Sequence, residues 1–140
     1  MSLMPVRVQG AKGAGTSAAW VSSIVNSAAK AIRRPRAELA VVFVGSARMR
    51  SLNRYRGRKG ATDILSFSAE TAFDLGDVFI CPAVAKRKAA ERGLGYRDYL
   101  KLLIVHGVLH LAGYDHETEK ERSRMERLEK KILKPLIPNP

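Results

Sequence analysis

Apolar residues recur with two different periods along this chain of 140 residues. Trp20, Ile24 and Ala28 return every fourth residue with Val21, Val25 and Ile32 beside them, which predicts an amphipathic helix. Thr16 or Ser17 stands where its N-cap belongs, and Pro35 sets its far limit. Ahead of it, Val6–Val8 predicts a short strand, followed by a glycine-rich loop from Gly10 to Gly15. Leu39–Val44 is an unbroken β-rich apolar run, as expected of a central strand buried on both faces. Ser46 is placed to cap a second helix through about Tyr55, with Met49 and Leu52 inward and arginines elsewhere.

After a polar break at Gly57–Ala61, Thr62–Phe67 and Gly76–Ile80 predict two short strands joined by a loop carrying Glu70 and Asp74. Pro82 opens a helix reaching about Arg92, and Gly93–Gly95 breaks it. Tyr96–Ala112 predicts a helix that is apolar almost all round from Leu102 onwards and so belongs in the middle of the domain. Glu117–Leu133 predicts a charged closing helix with Met125, Leu128 and Ile132 as its seam, stopped by Pro135 and Pro138. The order β-α-β-α-β-β-α-α-α describes a single α+β domain over residues 1–140, a small mixed β-sheet with helices packed on it. The pattern leaves the strand order open.

Composition adds limits. Apolar residues are 46% of the chain, enough for a substantial core. The longest apolar runs are far too short to span a bilayer, and Met1–Gly10 lacks a signal-length apolar stretch. One cysteine, Cys81, cannot form an internal disulfide, which suits a reducing cytoplasm. The expected location is cytoplasmic, without a membrane partner; oligomeric state is not encoded in the pattern, and a monomer is the default.

Charge changes the picture more. The formal net charge is +12, concentrated between Lys30 and Lys59, where ten basic residues face one acid, Glu38. From Asp115 onwards the balance is seven basic to six acidic. Because the basic stretch is mostly arginine, the better phosphate fork, a polyanion such as nucleic acid is a more apt partner than bulk water alone.

The candidate chemistry lies in H-G-V-L-H-L-A-G-Y-D-H, His106 to His116, an 11-residue window holding all three histidines. Residues at i and i+4 share a helix face about 6 Å apart at the backbone, so His106 and His110 can share one ion. Gly113 can end the helix in a left-handed conformation and return His116 to the same point. Three imidazoles without a fourth protein ligand point to zinc with a position open to water, the layout of a catalytic site. A structural zinc would more often include cysteine, for which Cys81 is the sole candidate. The spacing also matches that of metzincin proteases, but those require glutamate after the first histidine, where this chain has Gly107. A glycine in mid-helix suggests close approach of another backbone or of substrate.

The histidine string, with the upstream L-N-R-Y-R, T-D-I-L-S-F and L-G-D-V-F-I-C segments, resembles the YbeY family of bacterial metal-dependent endoribonucleases, roughly from Leu39 to Met125. The resemblance implies a zincin-like α+β domain with one Zn(2+) per chain held by His106, His110 and His116. It further implies cleavage of single-stranded RNA in ribosomal RNA maturation, at the 16S 3′ end, and in ribosome quality control. The family's functional arginine falls on Arg56. Nearby the chain departs from the family, with Lys59 and Ala61 where an acidic residue and a proline are usual.

The chemistry expected is metal-assisted cleavage of a phosphodiester, with Arg56 holding the phosphate. Arg58 and Lys59 would track the RNA backbone. Asp115 has three open roles: orienting a histidine, serving as a base, or capping the next helix at Glu117. Asp63 and Ser66 could bond substrate or backbone, and Tyr114 could stack a base or simply pack. A peptide-cleaving metallohydrolase and a non-catalytic ribosome-assembly factor with a structural metal are the competing readings.

Overall fold

A computed structural model describes residues 5–32, 38–69, 71, 73–115 and 117–137. His116, Glu70, Pro35 and Pro138, named above, lie outside the described residues, as do Arg33, Arg34 and Arg36 of the basic stretch.

Among the described residues the elements are β1 (Val6–Gln9), α1 (Ala18–Ile32), β2 (Glu38–Phe43), α2 (Ser46–Tyr55), β3 (Ile64–Ser68), β4 (Asp74–Ile80), α3 (Pro82–Glu91), α4 (Tyr96–Leu111) and α5 (Glu119–Leu136). The strands form one mixed sheet in the order β1-β2-β4-β3. β1, β2 and β4 run parallel, and β3 is an antiparallel edge strand, with Ser66 opposite Val78. The continuous apolar run thus becomes an interior strand, as its pattern requires.

Side-chain alternation divides the molecule into two cores. Leu39, Val41, Val78 and Ile80 face one side and join α1, α4 and α5 in the larger cluster. Ala40, Val42, Leu65 and Cys81 face the other side and meet Met49 of α2 and Val84 of α3 in a smaller one. Helix α4 packs against α1, α3, α5, β3 and β4, the central position its all-round apolarity predicts.

Several boundaries differ from the sequence pattern. The α2 cap is Gly45, without a side-chain bond; Ser46 is already helical, its Oγ 3.7 Å from Cys81 Sγ. Helix α5 begins later than expected because Thr118 accepts from the Glu121 N–H at 3.1 Å, which removes the capping role considered for Asp115. Pro135 does not stop α5: the Ile137 N–H reaches the Leu133 carbonyl at 2.7 Å, closing the last turn across the proline. Thr62 and Asp63 precede β3, and β4 starts earlier, at Asp74.

Candidate active site

The histidine helix ends as its glycine predicts. Gly113 has φ 101°, and its N–H reaches the His110 carbonyl at 3.1 Å while that of Tyr114 reaches Leu109 at 3.0 Å. These two bonds are a Schellman closure, which satisfies the last carbonyls and turns the chain out of the helix towards Asp115. His106 and His110 stand one turn apart on α4 with ring centroids 6.0 Å apart and ring planes within 15°. Two imidazoles one turn apart on one helix face are candidates to share a cation.

Gly107, between them, is buried for a reason the sequence could not supply. A Cβ there would stand 2.9 and 3.0 Å from the two Val78 methyls and 3.3 Å from Ile64 Cδ1. The missing side chain therefore lets α4 settle onto side chains of β4 and β3, rather than onto a backbone or a substrate. The position where a metzincin carries its glutamate is filled by the sheet.

From the far end of the chain, Glu129 of α5 enters this site: its Oε1 lies 2.8 Å from His106 Nδ1. The sequence reading missed it. The signal was present, since Glu129 is four residues after buried Met125 and three before buried Ile132, so it borders the seam that α5 turns inward. His106, Glu129, Asp63, Lys88, Arg92 and Tyr99 all line one open cavity of about 620 Å³.

In that cavity Asp63 is held rather than offered. It is 7% exposed, accepts from the Tyr99 hydroxyl at 2.6 Å and pairs with Lys88 at 3.4 Å. Burial by itself would raise its pKa, but the Tyr99 bond and the Lys88 charge outweigh that and leave the carboxyl below its ordinary 3.8. Burial, and then the bond to Asp63, push the Tyr99 hydroxyl up to about 12. Asp63 is thus a brace between the start of β3 and helices α3 and α4, which answers the open question of its role.

Arg56 comes from the other face of the sheet. It caps the C-terminus of α2, donates to the Ser66 carbonyl on edge strand β3, and lays its guanidinium 4.2 Å over the Phe67 ring. One donor and one face of the fork are engaged, so its direction is fixed while other N–H groups remain for an anion. Strand β3 is the link between the regions, since α4 packs on it and Arg56 grips its edge. Arg58 and Lys59 are exposed in the following loop. Buried Asn53 holds that loop: its Nδ2 donates to the Gly60 carbonyl at 2.9 Å, and its own carbonyl accepts from the Arg56 and Arg58 N–H groups at 3.0 Å. Tyr114 packs against the larger core.

Comparison with known proteins gives the family and the fold. The family model described as Endoribonuclease YbeY matches residues 10–137. The chain belongs to the endoribonuclease YbeY family. It is similar to an endoribonuclease YbeY of Aromatoleum aromaticum, 42% identical over 143 residues, covering 99% of this chain and 93% of that protein. Another YbeY, of Halorhodospira halophila, is 44% identical over 113 residues, or 74% of this chain and 73% of the relative. The solution structure of TM1509 from Thermotoga maritima shares the fold with a TM-score of 0.65 and 21% identity, over 96% of this chain and 93% of that one. The α+β architecture expected from the element order is therefore that of a solved protein. Among the described residues, no helix is long and apolar enough to cross a membrane.

Proposed function

We propose that this chain is a zinc-dependent endoribonuclease that cuts single-stranded RNA, acting in maturation of the 16S ribosomal RNA 3′ end and in ribosome quality control. Membership of the YbeY family supports the activity class and an RNA substrate. The observation that carries the metal reading is the pair of near-parallel imidazoles, 6.0 Å apart, one of them oriented by a carboxylate.

The donor set fits zinc. His106 and His110 would supply two ligands, and His116, three residues beyond the turning Gly113, would supply the third. A proton on His106 Nδ1 donated to Glu129 leaves Nε2 with its lone pair, the tautomer that a cation needs. Cys81 is fully buried in the core of the opposite sheet face, so a cysteine-containing structural site loses its candidate ligand. When bound, zinc would supply Lewis acidity to a phosphoryl oxygen and acidify a water molecule.

The chain's own residues do the rest. The Arg56 guanidinium, already aimed by Ser66 and Phe67, would hold the scissile phosphate and stabilise the charge that grows in the transition state. Arg58 and Lys59 would neutralise neighbouring phosphates. The peptidase reading fares worse because the general-base position is Gly107, tight against Val78 and Ile64.

The decisive experiment pairs metal analysis with single-turnover cleavage of labelled ribosomal RNA, alongside an unstructured protein as competing substrate. RNA cleavage that follows metal content supports the proposal. Cleavage of the protein instead, or full RNA cleavage in a metal-free His110→Ala variant, would overturn it.

A further inference from the structure

Beneath α2 the molecule has a second hollow, unlike the histidine cavity. It has a volume of about 330 Å³ and is lined by Arg50, Arg54, Arg58, Lys59 and Gly60. Arg50 and Arg54 are one turn apart on α2; Arg58 and Lys59 come from the loop that Asn53 fastens through the Lys59 and Gly60 carbonyls. Among the described residues, no carboxylate lines this hollow. Among the described residues, the ion pairs join Arg7 to Asp74, Lys88 to Asp63, Lys101 to Asp98 and His106 to Glu129, and none includes these four cations. Like charges gathered on a fastened loop repel one another unless an anion sits between them.

One residue after Arg54, at the end of the same helix, stands an exposed aromatic ring. Tyr55 is 85% exposed, although it closes a helix whose Met49 and Asn53 are buried. Its ring lies 6.4 Å from that of Phe67, on which Arg56 is stacked. A cationic track next to an open aromatic face is what an unpaired nucleotide strand needs: phosphates to the cations, a base to the ring. A duplex keeps its base faces hidden, and an inorganic polyanion has none.

We infer that Tyr55 stacks an unpaired base while Arg50, Arg54, Arg58 and Lys59 hold the adjoining phosphates, forming an anchoring site for single-stranded RNA outside the histidine centre. The inference rests on the RNA reading above and gives that reading a physical source of strand selectivity. Because Arg56 follows Tyr55 in sequence and grips the β3 edge, a strand anchored here runs on to the arginine proposed to hold the scissile phosphate.

The test is binding of a labelled, unstructured RNA and of its duplex to the full chain, in chelator so that binding is separated from cleavage, over a range of salt. Tyr55→Ala is expected to weaken single-strand binding about 5- to 100-fold with its salt slope unchanged, and to leave duplex binding nearly as it was. Tyr55→Phe should keep the wild-type affinity, because the ring face is what counts. Arg50→Gln with Arg54→Gln should lower the slope of log affinity against log salt by about 1 to 2. Circular dichroism and thermal unfolding verify that each variant is folded. Wild-type binding and slope in both the Tyr55→Ala and arginine variants would overturn the anchoring site and leave the RNA reading standing. Wild-type protein that binds no RNA would overturn the RNA reading itself. A slope that falls in the arginine variant without any loss in Tyr55→Ala would overturn the stacking and reduce the hollow to a general polyanion site.

Discussion

Two hollows of this protein, the histidine cavity and the arginine hollow, are lined by different helices and follow opposite electrostatic rules. The histidine cavity carries three acids, Asp63, Glu126 and Glu129, against three cations, Lys88, Arg92 and Arg122. Its inner charged groups are matched at short range, Asp63 with Tyr99 and Lys88, Glu129 with His106. Among the described residues, the arginine hollow holds four cations and no acid. Matched charges fix side chains in place, as the proposed metal centre would demand. Unmatched ones leave binding capacity for a partner's charge. Rigid preparation on α4 and open attraction on α2 are the two requirements of an enzyme that must both hold and cut a flexible polyanion.

That division can be broken at either end. The largest effect is expected from His110→Ala, which should abolish metal uptake and RNA cleavage together, read by metal analysis and single-turnover kinetics. Arg56→Ala should keep the metal content of the wild type yet slow cleavage by about 10²- to 10³-fold, as for loss of a donor to transition-state charge. An unfolded Arg56→Ala protein would instead make Arg56 a structural clamp on β3.

Glu129→Ala should weaken metal affinity about 10- to 100-fold in competition with a chromogenic chelator. Glu129→Gln, which can still accept from Nδ1, should fall between that variant and wild type. Equal affinity in all three would dissociate α5 from the proposed metal centre.

Smaller effects test the bracing. Tyr99→Phe leaves Asp63 without its hydroxyl donor and should cost about 1–3 kcal/mol in denaturant unfolding at neutral pH. The pH dependence follows from the shifts. Asp63, held below 3.8, contributes stability that is complete above about pH 4 and lost as the pH falls through its folded value. Tyr99, raised from 10.0 to about 12, contributes stability that is lost as the pH rises between those values. Unfolding curves of wild type and Tyr99→Phe should therefore converge at both extremes. Gly107→Ala should give the mildest change: helix propensity returns about 1 kcal/mol, and crowding against Val78 and Ile64 costs about 1–3 kcal/mol, for a small net loss in melting temperature.

Much of this was legible in the residues because the forces concerned are local. The i,i+4 histidines, the turning Gly113, the interior strand at Leu39–Val44 and the all-round apolar α4 follow from backbone periodicity and steric rules that act within a turn or two. The caps were harder. Ser46 and Gly45 differ by one position, and Thr118 displaced Asp115, because capping is decided by which neighbour reaches the free N–H first. Pro135 was misjudged because a helix near its end can close one last turn across a proline.

The sequence alone determined the element types, the mixed α+β class, the histidine spacing and the excess of arginine. Tertiary structure decided the strand order, the Glu129 bond to a histidine 23 residues away and the division of charges between two hollows. It also made Gly107 a packing contact and clamped Arg56 on the β3 edge. The reason is physical: periodicity states which face of a helix is turned inward, whereas the identity of the group it meets depends on how distant segments pack, a matter of shape and volume summed over the whole core.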